Sequence, residues 1–83
     1  MKTNNIDFII TDADGYAIHC DRPVDLQALT ECAIEAVNQF DGLGYGAVLY
    51  CHDNGAEIAC GVIDHRLTDT QRLANYVNAA RDF

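Results

Sequence analysis

Two short turns constrain this chain more than any other feature of its sequence. Residues 12–15 (DADG) and 53–55 (DNG) each lie between two runs in which apolar residues alternate with other residues. Asp-Gly and Asn-Gly favour the positive φ angles that tight hairpin turns require, and alternation is typical of half-buried strands. The sequence therefore predicts two β-hairpins.

The strands of the first hairpin follow from apolar residues at every second position. Before the turn these are Ile6, Phe8 and Ile10; on the return strand they are Tyr16, Ile18 and Cys20. In the second hairpin we expect strands from Tyr45 to His52 and from Ala56 to Ile63.

A helix is predicted after each hairpin. Asp25 can cap the first one, and Val24 can pack on Leu29 as a hydrophobic staple. Asp41 and Gly42 end this helix, since glycine accepts the left-handed conformation found after helix termini. Its apolar stripe consists of Leu26, Leu29, Ala33, Val37 and Phe40. The second helix has a capping box at Thr68 and Gln71 and apolar positions at Leu73, Tyr76, Val77 and Ala80.

The fold class predicted from this order is α+β, with the topology ββαββα. Two ββα units, about residues 5–41 and 45–83, would form a four-stranded antiparallel sheet with two helices on one face. Eighty-three residues suffice for one domain only, so we expect residues 1–83 to be a single domain. The pattern G-x-x-I-x-C occurs at residues 15–20 and again at 55–60, an offset of 40 that suggests duplication.

The sequence contains few residues in arrangements suited to metal binding or catalysis. The four cysteines (Cys20, Cys32, Cys51, Cys60) include no C-x-x-C pair, and adjacent His and Cys residues of a strand point to opposite faces. We therefore expect no metal site, with Cys20 and Cys60 in the core. The DADG turn lacks the later ligands of a calcium loop, so we expect no calcium site there. The glycines at 42–46 follow a helix, whereas a phosphate-binding glycine loop precedes one, so we expect no phosphate site there. There is no Ser and the one Lys is Lys2, so we predict no enzymatic activity and no cofactor.

The charge of the chain favours some classes of binding partner and disfavours others. The formal net charge is −8, from 13 acidic and 5 basic residues. Residues 1–41 have eight acids against two basic residues, a net −6, and residues 42–83 have five against three, a net −2. Such a chain repels nucleic acid and anionic membranes and attracts basic protein surfaces. The sequence shows neither an apolar run long enough to span a membrane nor a signal peptide, so we expect a cytoplasmic protein, in the host cell if a phage encodes it.

The acids of the first unit are the predicted partner-binding residues. Glu31 and Glu35 lie one helical turn apart, with no basic residue between Val24 and Asp41 to pair with them. A solvated face that only maintains solubility is the alternative for any one of these acids. The full set is Asp12, Asp14, Asp21, Asp25, Glu31, Glu35 and Asp41.

In size, acidity, single-domain α+β character and lack of catalytic residues, the chain resembles the small inhibitors that phages and mobile elements use against host defence, such as anti-CRISPR and anti-restriction proteins. The resemblance implies a non-enzymatic inhibitor that binds a basic nucleic-acid-binding protein, such as a CRISPR effector subunit, and blocks its site. One alternative is a small-molecule-binding or enzymatic domain that uses the open sheet face, with His19, Tyr50, His52 and Glu57 as its polar groups. Another is a housekeeping subunit that forms a homodimer through its sheet.

Overall fold

The computed structural model describes residues 5–53 and 55–63, which form one antiparallel sheet and one helix. The class is α+β, as predicted. The predicted second helix lies outside the described residues. The elements are β1 (Ile6–Thr11), β2 (Ala17–Asp21), α1 (Leu26–Phe40), β3 (Gly46–Cys51) and β4 (Glu57–Val62).

Both predicted hairpins are confirmed, and the first turn shows why its residues suit it. Asp12 Oδ1 accepts hydrogen bonds from the backbone N–H groups of Asp14 and Tyr16, each at 2.9 Å. Gly15 has a φ of 90°, a conformation that a side chain would strain. Asp12 therefore closes the turn with its own carboxylate, as Asx turns do.

The two hairpins join through their first strands. The strand order is β2-β1-β3-β4, and every neighbouring pair is antiparallel. The central β1–β3 ladder pairs Ile6 with Cys51 and continues in register to Thr11 and Gly46. The two return strands, β2 and β4, consequently lie at the edges of the sheet.

The core lies between one face of the sheet and α1. Burial alternates along β1 and β3, so one face is fully covered and the other is only partly covered. We call the partly covered side, opposite α1, the open face. The buried residues of this hydrophobic core are Ile6, Phe8, Ile10, Leu29, Ala33, Ala36, Ala47, Leu49, Cys51 and Ile63.

The start of α1 confirms one prediction and corrects another. Asp25 caps the helix, since its Oδ1 accepts a hydrogen bond of 2.8 Å from the Ala28 N–H. The predicted staple between Val24 and Leu29 is wrong: Val24 is 71% exposed, while Leu29 is buried. Pro23 takes the buried position instead. Successive residues of an extended segment point to opposite sides, so Val24 faces solvent.

The predicted burial of Cys20 is also wrong. Cys20 pairs with Ile9, which places it on the open face, and it is exposed. Ile18 is 45% exposed. Apolar residues do alternate along the sequence of β2, but Cys20 lies on the face that α1 does not cover. An edge strand also has a neighbouring strand on only one side, which leaves its side chains more exposed. The side chain of Cys60 lies outside the described set.

The offset-40 match between the hairpins relates residues on opposite faces. It aligns Phe8 with Val48, yet Phe8 is buried and pairs with Leu49, while Val48 belongs to the open face. A shift of one residue exchanges the two faces of a strand, so the repeat in sequence is not a repeat of side-chain environment.

Candidate functional site

Three of the seven predicted partner-binding acids hold the fold locally. Asp12 closes the first turn and Asp25 caps α1. Asp21 Oδ2 lies 2.8 Å from His19 Nε2, within the same strand. Each of these contacts uses only one of the two carboxylate oxygens.

Asp21 and Glu35 line the seam between β2 and α1, and Glu31 lies one helical turn before Glu35 on the same helix; we call these three residues the acidic edge. The pKa of the Cys32 thiol, which lies at this seam, is raised by burial and then by the charges of Asp21, Glu35 and Glu31. Glu31 and Glu35 are both exposed, and among the described residues neither forms an ion pair with a basic side chain. The structure therefore brings together acids from two elements that the sequence separates by ten residues or more.

Asp14 and Asp41 do not line the seam between β2 and α1. Asp14 is exposed in the first turn, and Asp41 follows the last residue of α1. Ala13, in the same turn, lies beside Gly44 in the loop after α1. The turn and the end of the helix are therefore neighbours.

A groove of about 180 Å³ runs along the same seam. Its apolar wall comes from the core and its polar wall from the strand and the helix. This combination suits a side chain with an apolar stem and a positively charged end. The lining residues are Ile10, His19, Asp21, Cys32, Glu35, Ala36, Gln39 and Phe40.

A second polar cluster, Asp7, Arg22 and His52, lies on the open face. Asp7 Oδ1 accepts a hydrogen bond of 2.9 Å from Arg22 Nε, and Asp7 Oδ2 lies 2.8 Å from His52 Nε2. The Tyr50 and His52 rings make an edge-to-face contact, with their centroids 4.8 Å apart. Glu57 pairs with Tyr50 across β3 and β4 and shares this face.

The hydrogen-bonding roles in this cluster follow from the ionisation of Asp7. The hydrogen bond from Arg22 lowers the pKa of Asp7; burial opposes this effect, and His52 adds to it. Arg22 Nη2 also lies 3.0 Å from His52 Nε2, but arginine only donates and an ionised carboxylate only accepts. We assign a proton to Nε2, which then donates to Asp7, because a bare Nε2 would face the carboxylate with a lone pair. Arg22 and His52 thus both donate to Asp7.

The expectation for the open face was correct for three of its four residues. Tyr50, His52 and Glu57 lie there, but His19 pairs with Ile10 and lies on the side of α1, lining the groove. The bulge between Ile10 and Thr11 shifts the β2 register, which alternation alone does not reveal. Sequence reasoning missed Asp7 and Arg22; they meet because the antiparallel pairing brings residues 15 positions apart side by side.

The thiols of Cys20 and Cys32 both have raised pKa values. Burial raises the pKa of Cys20, and the charges of Asp7 and Asp21 raise it further. A raised thiol pKa reduces the thiolate fraction at neutral pH and thus the nucleophilicity. Within residues 5–53 and 55–63, no three His, Cys, Asp or Glu side chains are grouped so that they could hold a metal ion.

Comparisons of the sequence and the structure found no matching protein family, characterised protein or solved structure. In the described part of the chain, no helix combines the length and apolar character needed to cross a membrane.

Proposed function

We propose that this chain is a non-enzymatic protein-binding domain that holds a basic protein surface with its acidic edge. The observation that carries the proposal is that Asp21 and Glu35 line one groove, with Glu31 one helical turn before Glu35. Asp21 contacts His19, and among the described residues no Arg or Lys forms an ion pair with any of the three acids. Arg22, the one Arg or Lys of residues 5–53 and 55–63, binds Asp7 on the open face.

Electrostatics supports a partner of opposite charge. The net charge of −8 attracts a basic surface over a distance comparable to the Debye length, about 8 Å at physiological salt. Complementary charge raises the association rate and contributes specificity. Asp12, Asp14, Asp25 and Asp41 add to this field around the acidic edge.

The partner that we propose is a nucleic-acid-binding protein of a host defence system, such as a CRISPR effector subunit. Its nucleic-acid site must be basic, because it neutralises phosphates. A compact acidic domain that occupies this site excludes the nucleic acid without any chemical step. The protein would then act as an inhibitor in the cytoplasm of the host cell.

The test is inhibition of nucleic-acid binding by purified effectors. Fluorescence anisotropy would report the binding of labelled target DNA or RNA to a panel of CRISPR effector complexes and restriction enzymes, with and without this protein. We expect one effector to lose its nucleic acid in a dose-dependent way, with weaker inhibition as salt increases.

Matched charge reversals identify the surface involved. Glu31→Lys with Glu35→Lys should abolish inhibition, whereas Asp53→Lys with Glu57→Lys changes the net charge equally at the other hairpin and should retain it. Equal loss in both double variants would show that total charge, and not the acidic edge, is responsible. Unchanged inhibition by the first variant would refute the proposed surface.

A second candidate function, small-molecule binding on the open face, is favoured by the cluster of Asp7, Arg22 and His52 beside Tyr50. Isotope-detected NMR with a library of small polar metabolites would test it. Shifts confined to Tyr50, His52 and their neighbours would support this function, and their absence across the library would count against it.

A further inference from the structure

Strand β2 offers an edge for pairing beside the groove. It is the outermost strand on its side of the sheet, and Ala17 to Cys20 are all exposed. Alternate N–H and C=O groups of an edge strand point away from the sheet and can pair with another chain. Within the described residues, no strand pairs with the outer side of β2.

The groove lies where alternate side chains of an added strand would point. His19 and Asp21 pair with Ile10 and Phe8, so both belong to the face covered by α1, and both line the groove. A residue next to them on a fifth strand would share that face, since side chains alternate with a period of two. Its side chain would meet Asp21 from the strand and Glu35 from the helix.

We propose that an extended basic segment of the partner adds to β2 as a fifth strand and places an arginine or lysine side chain in this groove. The inference rests on the proposed function and names the form of the ligand. The apolar wall of Ile10 and Phe40 takes the methylene stem, and the carboxylates of Asp21 and Glu35 bind the cationic end. Backbone pairing supplies affinity, and the groove supplies the choice of side chain.

Charge selects a basic peptide over a second copy of this chain as the occupant. Pairing β2 with β2 of another copy would bring two acidic edges, on two chains of net charge −8, towards one another. Like charges in such an arrangement oppose association. A basic strand removes that repulsion.

The probe is a labelled peptide of three Arg-Thr repeats, which presents every arginine on one face of a strand. Controls are a peptide with three arginines followed by three threonines, and peptides N-methylated at every arginine or at every threonine amide. Anisotropy would give the affinities, and NMR-detected hydrogen exchange would report backbone protection along β2 and along the other edge strand, β4. We expect the alternating peptide to bind and to protect β2 but not β4.

Each control isolates one part of the proposal. One of the two methylated peptides should bind about tenfold more weakly, because it blocks the edge that faces β2. Asp21→Asn with Glu35→Gln should weaken the alternating peptide about tenfold, whereas Asp53→Asn with Glu57→Gln removes the same charge elsewhere and should not.

Failure of the inference differs from failure of the proposed function. Salt-sensitive binding with no protection of β2, and with equal affinity for the alternating and block peptides, would overturn strand addition and leave an acidic binding surface. No binding by any basic peptide, together with no inhibition of any effector, would reject both. Protection of β2 that rises with protein concentration, without peptide, would assign the edge to a second copy.

Discussion

Asp7→Asn offers the most direct test of the charge network on the open face. The substitution keeps the size of the side chain and one oxygen, but removes the charge that binds Arg22 and His52 at 2.9 and 2.8 Å. The Asp7 side chain is 14% exposed, whereas those of Arg22 and His52 are 59% and 39% exposed. The network therefore lies between a buried and a surface ion pair.

The expected loss is about 1–2 kcal/mol in the free energy of unfolding. A hydrogen bond to a charged group contributes about 1.5–3 kcal/mol, and an exposed ion pair about 0.2–1 kcal/mol. Because both partners of Asp7 face water, each contact should contribute a free energy near the lower end of these ranges. Urea denaturation at pH 7 would measure the loss, and Glu57→Gln, an equal charge change at an exposed residue of the same face, is the control.

The stability contributed by Asp7 should decrease at low pH. The pKa of Asp7 is lower in the folded protein than in the unfolded chain. Its stabilising effect is therefore fully present above the unfolded pKa and is lost as pH falls through the folded pKa. The difference between wild type and Asp7→Asn should be constant above about pH 5 and shrink below about pH 4. A loss no larger than that of Glu57→Gln, or a difference unchanged at pH 3, would refute the network's contribution.

Three further substitutions or labelling experiments test other parts of the structure. Phe8→Ala should destabilise the protein by about 3–5 kcal/mol in urea, since Phe8 is fully buried, whereas Ile18→Ala at the exposed edge should cost less than about 1 kcal/mol. Asp25→Ala should cost about 1 kcal/mol through loss of the α1 cap, as thermal unfolding would show, and serine at this position should restore most of it. Iodoacetamide should label exposed Cys20 well before buried Cys51, with a rate that still increases above pH 9, as peptide mapping by mass spectrometry would report.

Local sequence patterns predicted the elements well, because each pattern reflects a local physical cause. Asp12 and Gly15 define a turn through their own backbone and side-chain bonds, and Asp25 caps α1 within three residues. Predictions that depended on what lies beside a strand were less reliable. Cys20 follows the alternation of β2 but pairs with Ile9 on the open face, and no local pattern reveals which face α1 covers.

The candidate sites also depend on contacts between elements that local sequence patterns do not reveal. Glu31 and Glu35 were recognisable as unpaired charges on one helix, but the position of Glu35 in the same groove as Asp21 depends on how α1 lies against β2. Asp7 and Arg22 were not recognised at all. Each looks ordinary in sequence, and only the pairing of β1 with β2 brings them together with His52 of the second hairpin.

A single topological choice, the pairing of β1 with β3, determines which surface this protein can offer a partner. Two similar hairpins could join through any of their strands, and the alternation of apolar residues is compatible with each arrangement. Had β2 joined the second hairpin, His19 and Asp21 would lie within the sheet, where a neighbouring strand would occupy their outer side. With β1 and β3 in the centre, β2 becomes an edge, and its polar side chains border α1 and solvent. Within the described residues no strand pairs with the outer side of β2, so the proposed partner would meet the backbone of β2 and the carboxylates of Asp21 and Glu35 at the same edge.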